Sequence, residues 1–519
     1  MVAAVDASPY LTEFLGSFFL ATTFGCNALG GSVVWMPTST AFAMMVGMCA
    51  IAASSGGHLN PAISIAYGLV RKTRWWQVAG FCVMQVLGAI VGGALVLTAG
   101  AGEGPDMLQV KPRNHFDWFD VFVVEVVYTA TLCFVALNCL VASRNNPPSS
   151  GQNEFGALAV GFVIIAGGHA ALDISGAFFN PALVIGFSCM SSSKPLWCLF
   201  YIGCQVVATI LAAILFFMVR PEELQSSLGV GGQGLQCGRT CSAVCSCICP
   251  RRSSDEIAEA DPIVEEVDLF ANDYRPSFPV RLLSEFLGTY IVVTTFGLSS
   301  CAMARLVDAP MPTPGPTSLA MNETIVGQVS DAGIDKMSPT DTFSTTHWAT
   351  AAAVLSMVYS LGNVSGGHFN PVVTLAVTLS GRGHCSIIEA LFYIVAHGAA
   401  AISAAITYTC ISRTTGKLNL RELGPGDGYT WRSVAFGEMV FTCTLVLVVL
   451  CMTTVKSPRY MKAPSTRSFQ FALAIGMCIA AGGLAEDDVT GGVLNPAIAA
   501  GMTAGSALTV GFDHIKRLT

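Results

Sequence analysis

Four times in this chain an Asn-Pro pair follows a long apolar run and a turn of small residues, and this repetition limits the possible folds more than any other feature. Gly56-Gly57-His58-Leu59-Asn60-Pro61-Ala62 returns as Gly366-Gly367-His368-Phe369-Asn370-Pro371-Val372. Ser175-Gly176-Ala177-Phe178-Phe179-Asn180-Pro181-Ala182 returns as Thr490-Gly491-Gly492-Val493-Leu494-Asn495-Pro496-Ala497. After each box comes an apolar stretch too short to cross a bilayer, such as 62–70. Asn suits a helix N-cap, because its side-chain oxygen accepts an unpaired backbone N–H. Pro suits the next position, where no N–H is needed. Each box therefore predicts a half helix that enters a membrane and turns back.

The runs before the boxes fit that reading. A bilayer core of about 30 Å takes roughly 20 apolar residues per helix. Eleven spans are expected, near 10–30, 39–56, 75–99, 117–141, 155–173, 196–219, 280–303, 347–364, 385–411, 429–453 and 468–485. With 53% hydrophobic and only 11% charged residues, the chain lacks the polar surface of a large soluble protein. The net charge of −7, without a basic stripe, excludes a nucleic-acid partner. No basic region precedes the first apolar run, so it is expected to be a true span rather than a cleaved signal. No nucleophile–base pair or metal-ligand set stands out, so an enzyme, a cofactor or a metal site is not expected.

A glutamate opens each quarter of the chain inside an apolar run, with Ser or Thr four residues on: Glu13, Glu125, Glu285 and Glu438. A carboxylate within a membrane is costly unless hydrogen-bonded internally, so the four are expected to be structural. Each quarter reads as glutamate span, second span, box, third span. Three spans make an odd number, so successive quarters cross in opposite senses as inverted repeats, with a site expected at the midplane. Two half-helix N-termini meeting there each carry about half a positive charge. They repel cations, and the Asn amides offer hydrogen bonds to a neutral solute.

At these residues the chain resembles the major intrinsic protein family, the aquaporins and aquaglyceroporins. The resemblance covers about 10–219 and 280–503 and includes Gln85 and Gln205, which match the family's span-three and span-six glutamine. It implies an all-α membrane protein with two tandem six-span bundles. Their pores would be lined by Asn60, Pro61, Ala62, Asn180, Pro181 and Ala182, and by Asn370, Pro371, Val372, Asn495, Pro496 and Ala497. Counting from the boxes as the family does gives one filter of Thr40, Gly168, Ala177 and Leu183. The other is Thr350, Gly483, Gly492 and Ile498. Leu183 and Ile498 stand where the family has arginine, an electrostatic barrier in such pores. A wider, more apolar constriction is expected, passing water or small neutral solutes such as glycerol, urea or metalloid hydroxides. The family assembles four bundles, so two of these chains would suffice, as a homodimer in membrane lipid.

The tail after Asn495 is too short and too polar to cross again, so the second bundle is expected to lack its sixth helix. The chain divides into a first bundle (1–222), a linker (223–279) and a short second bundle (280–519). The linker is rich in cysteine and in acidic residues. Cys245, Cys247 and Cys249 beside Arg251 and Arg252 are candidates for acylation, with metal binding and unmodified thiols as rivals. Basic residues between spans place the N-terminus and the linker on the cytoplasmic side of a plasma or organelle membrane. Two other classes stay open: a secondary transporter, since inverted repeats occur there too, and a non-conducting membrane scaffold.

Overall fold

The computed structural model describes residues 7–29, 34–99, 108–113, 116–146, 153, 155–191, 193–228, 275–308, 345–413, 423–426, 428–453 and 467–510. The described residues are helical throughout their ordered elements. In the N-terminal half these are α1 (Ser8–Leu29), α2 (Met36–Ser55), α3 (Pro61–Leu69), α4 (Trp75–Ala99), α5 (Trp118–Ala136, prolonged by a wider turn Leu137–Val141), α6 (Gly156–Ser175), α7 (Pro181–Met190), α8 (Pro195–Val219) and α9 (Pro221–Leu228). In the C-terminal half they are α10 (Phe278–Asp308), α11 (Thr346–Ser365), α12 (Pro371–Leu379), α13 (Ile387–Arg413), α14 (Trp431–Thr453), α15 (Arg467–Thr490) and α16 (Pro496–Val510). The acylation candidates Cys245, Cys247 and Cys249 lie outside the described residues.

Eight of the long helices are apolar and long enough, by composition alone, to cross a membrane. The helices α1, α11 and α15 are not among them. For α11 the reason is its position. Nearly all its residues are buried, including Thr346, Thr350, Ser356 and Ser360. A helix surrounded by protein does not need an apolar exterior, and its hydroxyls bond back to the preceding turn, as Thr350 does to the Thr346 carbonyl at 2.7 Å.

Glycine ends the helices that lead into the boxes. Gly56, Gly176 and Gly366 sit at φ 92°, 90° and 102°, and each returns its N–H to the carbonyl four residues earlier. This left-handed C-cap stops the helix and turns the chain inward. In the N-terminal half the first and third long helices of each quarter pack together, α1 along α4 and α5 along α8, and in the C-terminal half α10 lies along α13 in the same way.

The halves contact one another through α5, α6 and α8 on one side and α10, α11 and α13 on the other. Ser356 Oγ donates to the Ala159 carbonyl at 3.1 Å, and Trp348 Nε1 donates to Thr38 Oγ1 at 3.2 Å. Arg220, fully buried, ties the same seam. Its Nε donates to Asn138 Oδ1 at 3.0 Å, and its Nη2 donates to the Ser360 carbonyl at 3.1 Å and to Asn363 Oδ1 at 2.8 Å. Burial pulls this guanidinium down to about 10, so it stays charged at neutral pH. Arg220→Ala would strand two buried acceptors, on Asn138 and Ser360, and a half-buried one on Asn363. It is expected to cost on the order of 3 kcal/mol, read as a lower unfolding temperature of the purified protein. An unchanged unfolding temperature would show that apolar packing alone holds the seam.

Candidate functional site

The short helices α3 and α7 start at the boxes, and the local chemistry is the same in both. Asn60 and Asn180 are extended N-caps, each accepting the N–H of the second following residue at 2.9 Å. Asn370 and Asn495 do the same toward Val372 and Ala497 at 2.9 Å. The prolines occupy the first helical position throughout.

The two boxes of each half grip one another. Asn60 Nδ2 donates to the Phe179 carbonyl at 2.9 Å, and Asn180 Nδ2 returns a bond to the Leu59 carbonyl at 3.0 Å. In the C-terminal half Asn370 donates to Leu494 and Asn495 to Phe369, both at 3.0 Å. Each amide has two N–H groups. One is spent on this cross-link, which leaves one, where the sequence alone had suggested that the whole amide faces a solute. The residues that receive these bonds are themselves unusual. Leu59, Phe179, Phe369 and Leu494 have φ values of 52°, 47°, 47° and 51°. Side chains other than glycine reach this region at a cost and hold it only where the surroundings enforce it.

The quarter-opening glutamates supply the enforcement. Glu13 accepts from Ser55 Oγ, the His58 and Leu59 N–H groups and Gln85 Nε2, at 2.5–2.9 Å. Glu125 accepts from Ser175 Oγ at 2.6 Å, from the Phe178 and Phe179 N–H groups at 3.3 and 3.2 Å, and from Gln205 Nε2 at 2.9 Å. Glu285 accepts from Ser365 Oγ and from the His368 and Phe369 N–H groups, and His397 Nε2 lies 2.9 Å away in the place of the glutamine. Thus each left-handed residue is clamped by its N–H to a carboxylate and by its carbonyl to the opposite asparagine.

Glu438 differs. It accepts from Thr490 Oγ1 and from the Val493 and Leu494 N–H groups, and no side-chain amide or imidazole joins them among the described residues. Beside it lies a groove of about 480 Å³ lined by Trp431, Val434, Glu438, Met439, Val493 and Asn495. In the N-terminal half α8 lies along α5 and contributes Gln205 there. The outer face of α14 is accordingly exposed at Phe436, Met439 and Leu447. Glu486, in the last turns of α15, is a buried side chain, and a Cβ on Gly437 would meet its carboxylate.

Around Asn60 and Asn180 the N-terminal half encloses a cavity of about 20 Å³, walled by Leu20, Phe24, Thr40, Met44, Ile164 and Leu183, with Ala177 also on its surface. About one water fits such a volume. Thr40 Oγ1 is buried and makes no hydrogen bond among the described residues.

Gly168 does not line this cavity. A Cβ there would come within 2.4 Å of Pro37 Cβ, so the space that a glycine was expected to open is filled by a proline ring. At Gly483 the space is filled by the His347 imidazole, 2.6 Å from such a Cβ. At Gly492 the Gly483 carbonyl is nearer still, at 2.4 Å. Thr350 and Ile498 are both buried. His347 Nε2 also lies 2.9 Å from Asp487 Oδ1. Close helix approach, rather than a wide opening, is what these glycines permit. Pro37 and His347 could have been found by aligning the halves, since each stands three residues before its threonine. The left-handed residues before the boxes carry no sequence signal, being ordinary Leu and Phe.

Comparison with known proteins places this architecture. The model of the major intrinsic protein family matches residues 6–167, 146–242 and 274–507. A glycerol uptake facilitator protein-like 6 of Lactiplantibacillus plantarum is 32% identical over 222 residues, 41% of this chain and 99% of the relative. The aquaglycerol porin of Saccharomyces cerevisiae is 30% identical over 198 residues, 34% of this chain and 30% of the relative. The chain thus spans less than a third of that relative's length in the match. Among solved structures, the aquaglyceroporin from Plasmodium falciparum shares 19% identity at a TM-score of 0.36, covering 43% of this chain and 99% of that one. The chain belongs to the major intrinsic protein family, a family of membrane channels rather than enzymes.

Proposed function

We propose that the N-terminal half is a passive channel for water or small neutral solutes, running between Asn60 and Asn180. The observation that carries this reading is the reciprocal bond between the boxes, Asn60 to the Phe179 carbonyl and Asn180 to the Leu59 carbonyl. It fixes two helix N-termini face to face, where their dipoles disfavour cations. It also leaves each amide one N–H for a passing oxygen. The small, apolar cavity around them suits water better than glycerol, although glycerol handling is named for two relatives. Thr40, Ala177 and Leu183 are its filter in this reading, with Ile164 taking the place expected of Gly168.

We read the chain as two bundles, 1–222 and 280–519, joined by the linker 223–279, with eleven spans and the N-terminus in the cytoplasm. In the C-terminal half Asn370 and Asn495 repeat the arrangement, with Thr350, Gly483, Gly492 and Ile498 at its filter positions. The groove beside Glu438 opens that half sideways, which favours a scaffolding rather than a conducting role for it. The seam between the halves joins unlike faces. Repeating it between two copies, α14 and α15 of one against α1 and α2 of the other, would close a ring of four bundles. The exposed Phe42, Val46, Phe436 and Met439 suit such a contact.

Stopped-flow light scattering on vesicles holding the purified chain tests the channel reading. Osmotic water permeability is expected to exceed that of empty vesicles by about tenfold and to fall to background in Asn60→Ala/Asn180→Ala. Vesicles no more permeable than empty ones, with the protein folded and inserted, would sink the channel and favour the scaffold. A saturable flux coupled to an ion gradient would point to a transporter.

A further inference from the structure

In three of the four quarters the carboxylate meets two N–H groups on its second oxygen. Glu13 Oε2 accepts from the Leu59 N–H and from Gln85 Nε2, both at 2.7 Å. Glu125 Oε2 accepts from the Phe179 N–H at 3.2 Å and from Gln205 Nε2 at 2.9 Å. Glu285 Oε2 accepts from the Phe369 N–H at 2.8 Å, with His397 Nε2 2.9 Å away. Each time the side-chain donor comes from the third long helix of the quarter, α4, α8 or α13. Glu438 Oε2 accepts the Leu494 N–H at 3.1 Å and, among the described residues, nothing else.

The groove of about 480 Å³ beside Glu438 is where such a helix would lie. Trp431, Val434 and Thr442 of α14, Val493 ahead of the box and Ala499 of α16 line it. In the N-terminal half the corresponding face of α5 is covered by α8. Trp118 stacks on Trp197 with ring centroids 3.6 Å apart and meets Phe200 edge-on at 4.5 Å. Ala130 is buried in a cluster with Cys204 and Ala208. Trp431 and Cys443 stand at the same intervals from Glu438 as Trp118 and Ala130 from Glu125. Both are exposed. A carboxylate oxygen, an indole and an apolar strip that one helix covers in the first half are thus all open in the second.

The chemistry of the groove selects its occupant. A carboxylate among apolar side chains is stable only where N–H or O–H groups reach it. Water satisfies the oxygen but not the apolar wall. A lipid acyl chain covers the wall but has no N–H to give. An apolar helix with one side-chain amide does both, and amides bridging helices are a recognised source of association within membranes.

We propose that this groove is a docking site for a transmembrane helix of a partner protein. The helix is apolar, presents one side-chain amide to Glu438 Oε2 and lays an aromatic ring on Trp431.

The sequence of α8, Pro195–Val219, carries both features in Gln205 and Trp197 and serves as the probe. A fluorescently labelled peptide of that sequence is titrated with the full chain in lipid nanodiscs, and its anisotropy is followed. Saturable binding is expected. Gln205→Leu in the peptide is expected to weaken it by about three- to tenfold. Val434→Trp in the full chain fills the groove and is expected to weaken it by about tenfold or more. Trp431→Ala, at an exposed side chain, serves if that variant unfolds, with a loss of about threefold. Trp76→Ala removes an exposed indole from α4, outside the groove, and is expected to change binding by less than about twofold. Absence of saturable binding overturns the proposal, as does binding that Gln205→Leu leaves unchanged or that the groove variants reduce no more than Trp76→Ala. The readout is helix binding, so it does not depend on whether either half conducts.

Discussion

Glu125→Ala is expected to destroy the folded N-terminal half. The carboxylate accepts four hydrogen bonds, from Ser175, Phe178, Phe179 and Gln205, and is wholly buried. Alanine would leave those donors without an acceptor, in a place that water does not reach. Each stranded donor costs about 1–3 kcal/mol. The total, on the order of 4 kcal/mol or more, rivals the 5–15 kcal/mol by which a typical domain is stable. The damage also spreads, because Phe179 then loses the bond that holds its backbone at φ 47°, and its carbonyl no longer meets Asn60. Thermal unfolding and size-exclusion profiles of the purified variant measure this. Glu438→Ala provides the comparison within the same molecule. Glu438 has three such donors and stands beside an open groove, so water can replace part of what it gives. The loss there is expected to be roughly half as large. Equal, small effects at both positions would show that the carboxylates do not organise the boxes.

Leu183→Ala is expected to raise the glycerol permeability of reconstituted vesicles by about tenfold and to change water permeability far less. The cavity beside Asn60 and Asn180 holds about 20 Å³, and most of its lining residues are apolar. Leu183 is the third residue of α7, just after the box, and is buried against that space. Replacing its isopropyl group by hydrogen enlarges this cavity without touching either asparagine. Large-to-small changes in a packed core cost about 2–5 kcal/mol. One side of Leu183 faces a void, so a value near the lower end is expected, and folding should survive. Stopped-flow shrinkage in glycerol gradients reads the effect. Unchanged glycerol flux in a folded, water-conducting variant would place the limiting constriction elsewhere, with Met44 and Ile164 the next side chains to test.

The boxes, the long helices and the opening glutamates were legible in the sequence because each has a local cause. An N-capping Asn followed by Pro needs only its own backbone, and an apolar run of span length needs only the bilayer. The helix ends confirm how local these signals are, since α4 runs over Trp75–Ala99 and α8 over Pro195–Val219, each within a residue of its expected span. The partners of the glutamates were half legible. Gln85 and Gln205 could be matched by position, and His397 stands near the equivalent place.

The space around the boxes was not legible. Position counting put Gly168 and Gly483 beside a pore, and their missing side chains implied room. Whether a glycine leaves space depends on what packs against it, and here Pro37 and His347 fill the gap from a neighbouring helix.

The sequence by itself therefore determined the helical elements and the identity of the groups that cap and bury them, since these follow from hydrogen-bonding capacity and burial along the chain. Only the tertiary structure decided which carbonyl each box asparagine grips, how small the space between them is and which side of Glu438 stays open. Those properties arise from contacts between residues distant in the chain, and close packing leaves room only where no neighbouring side chain reaches.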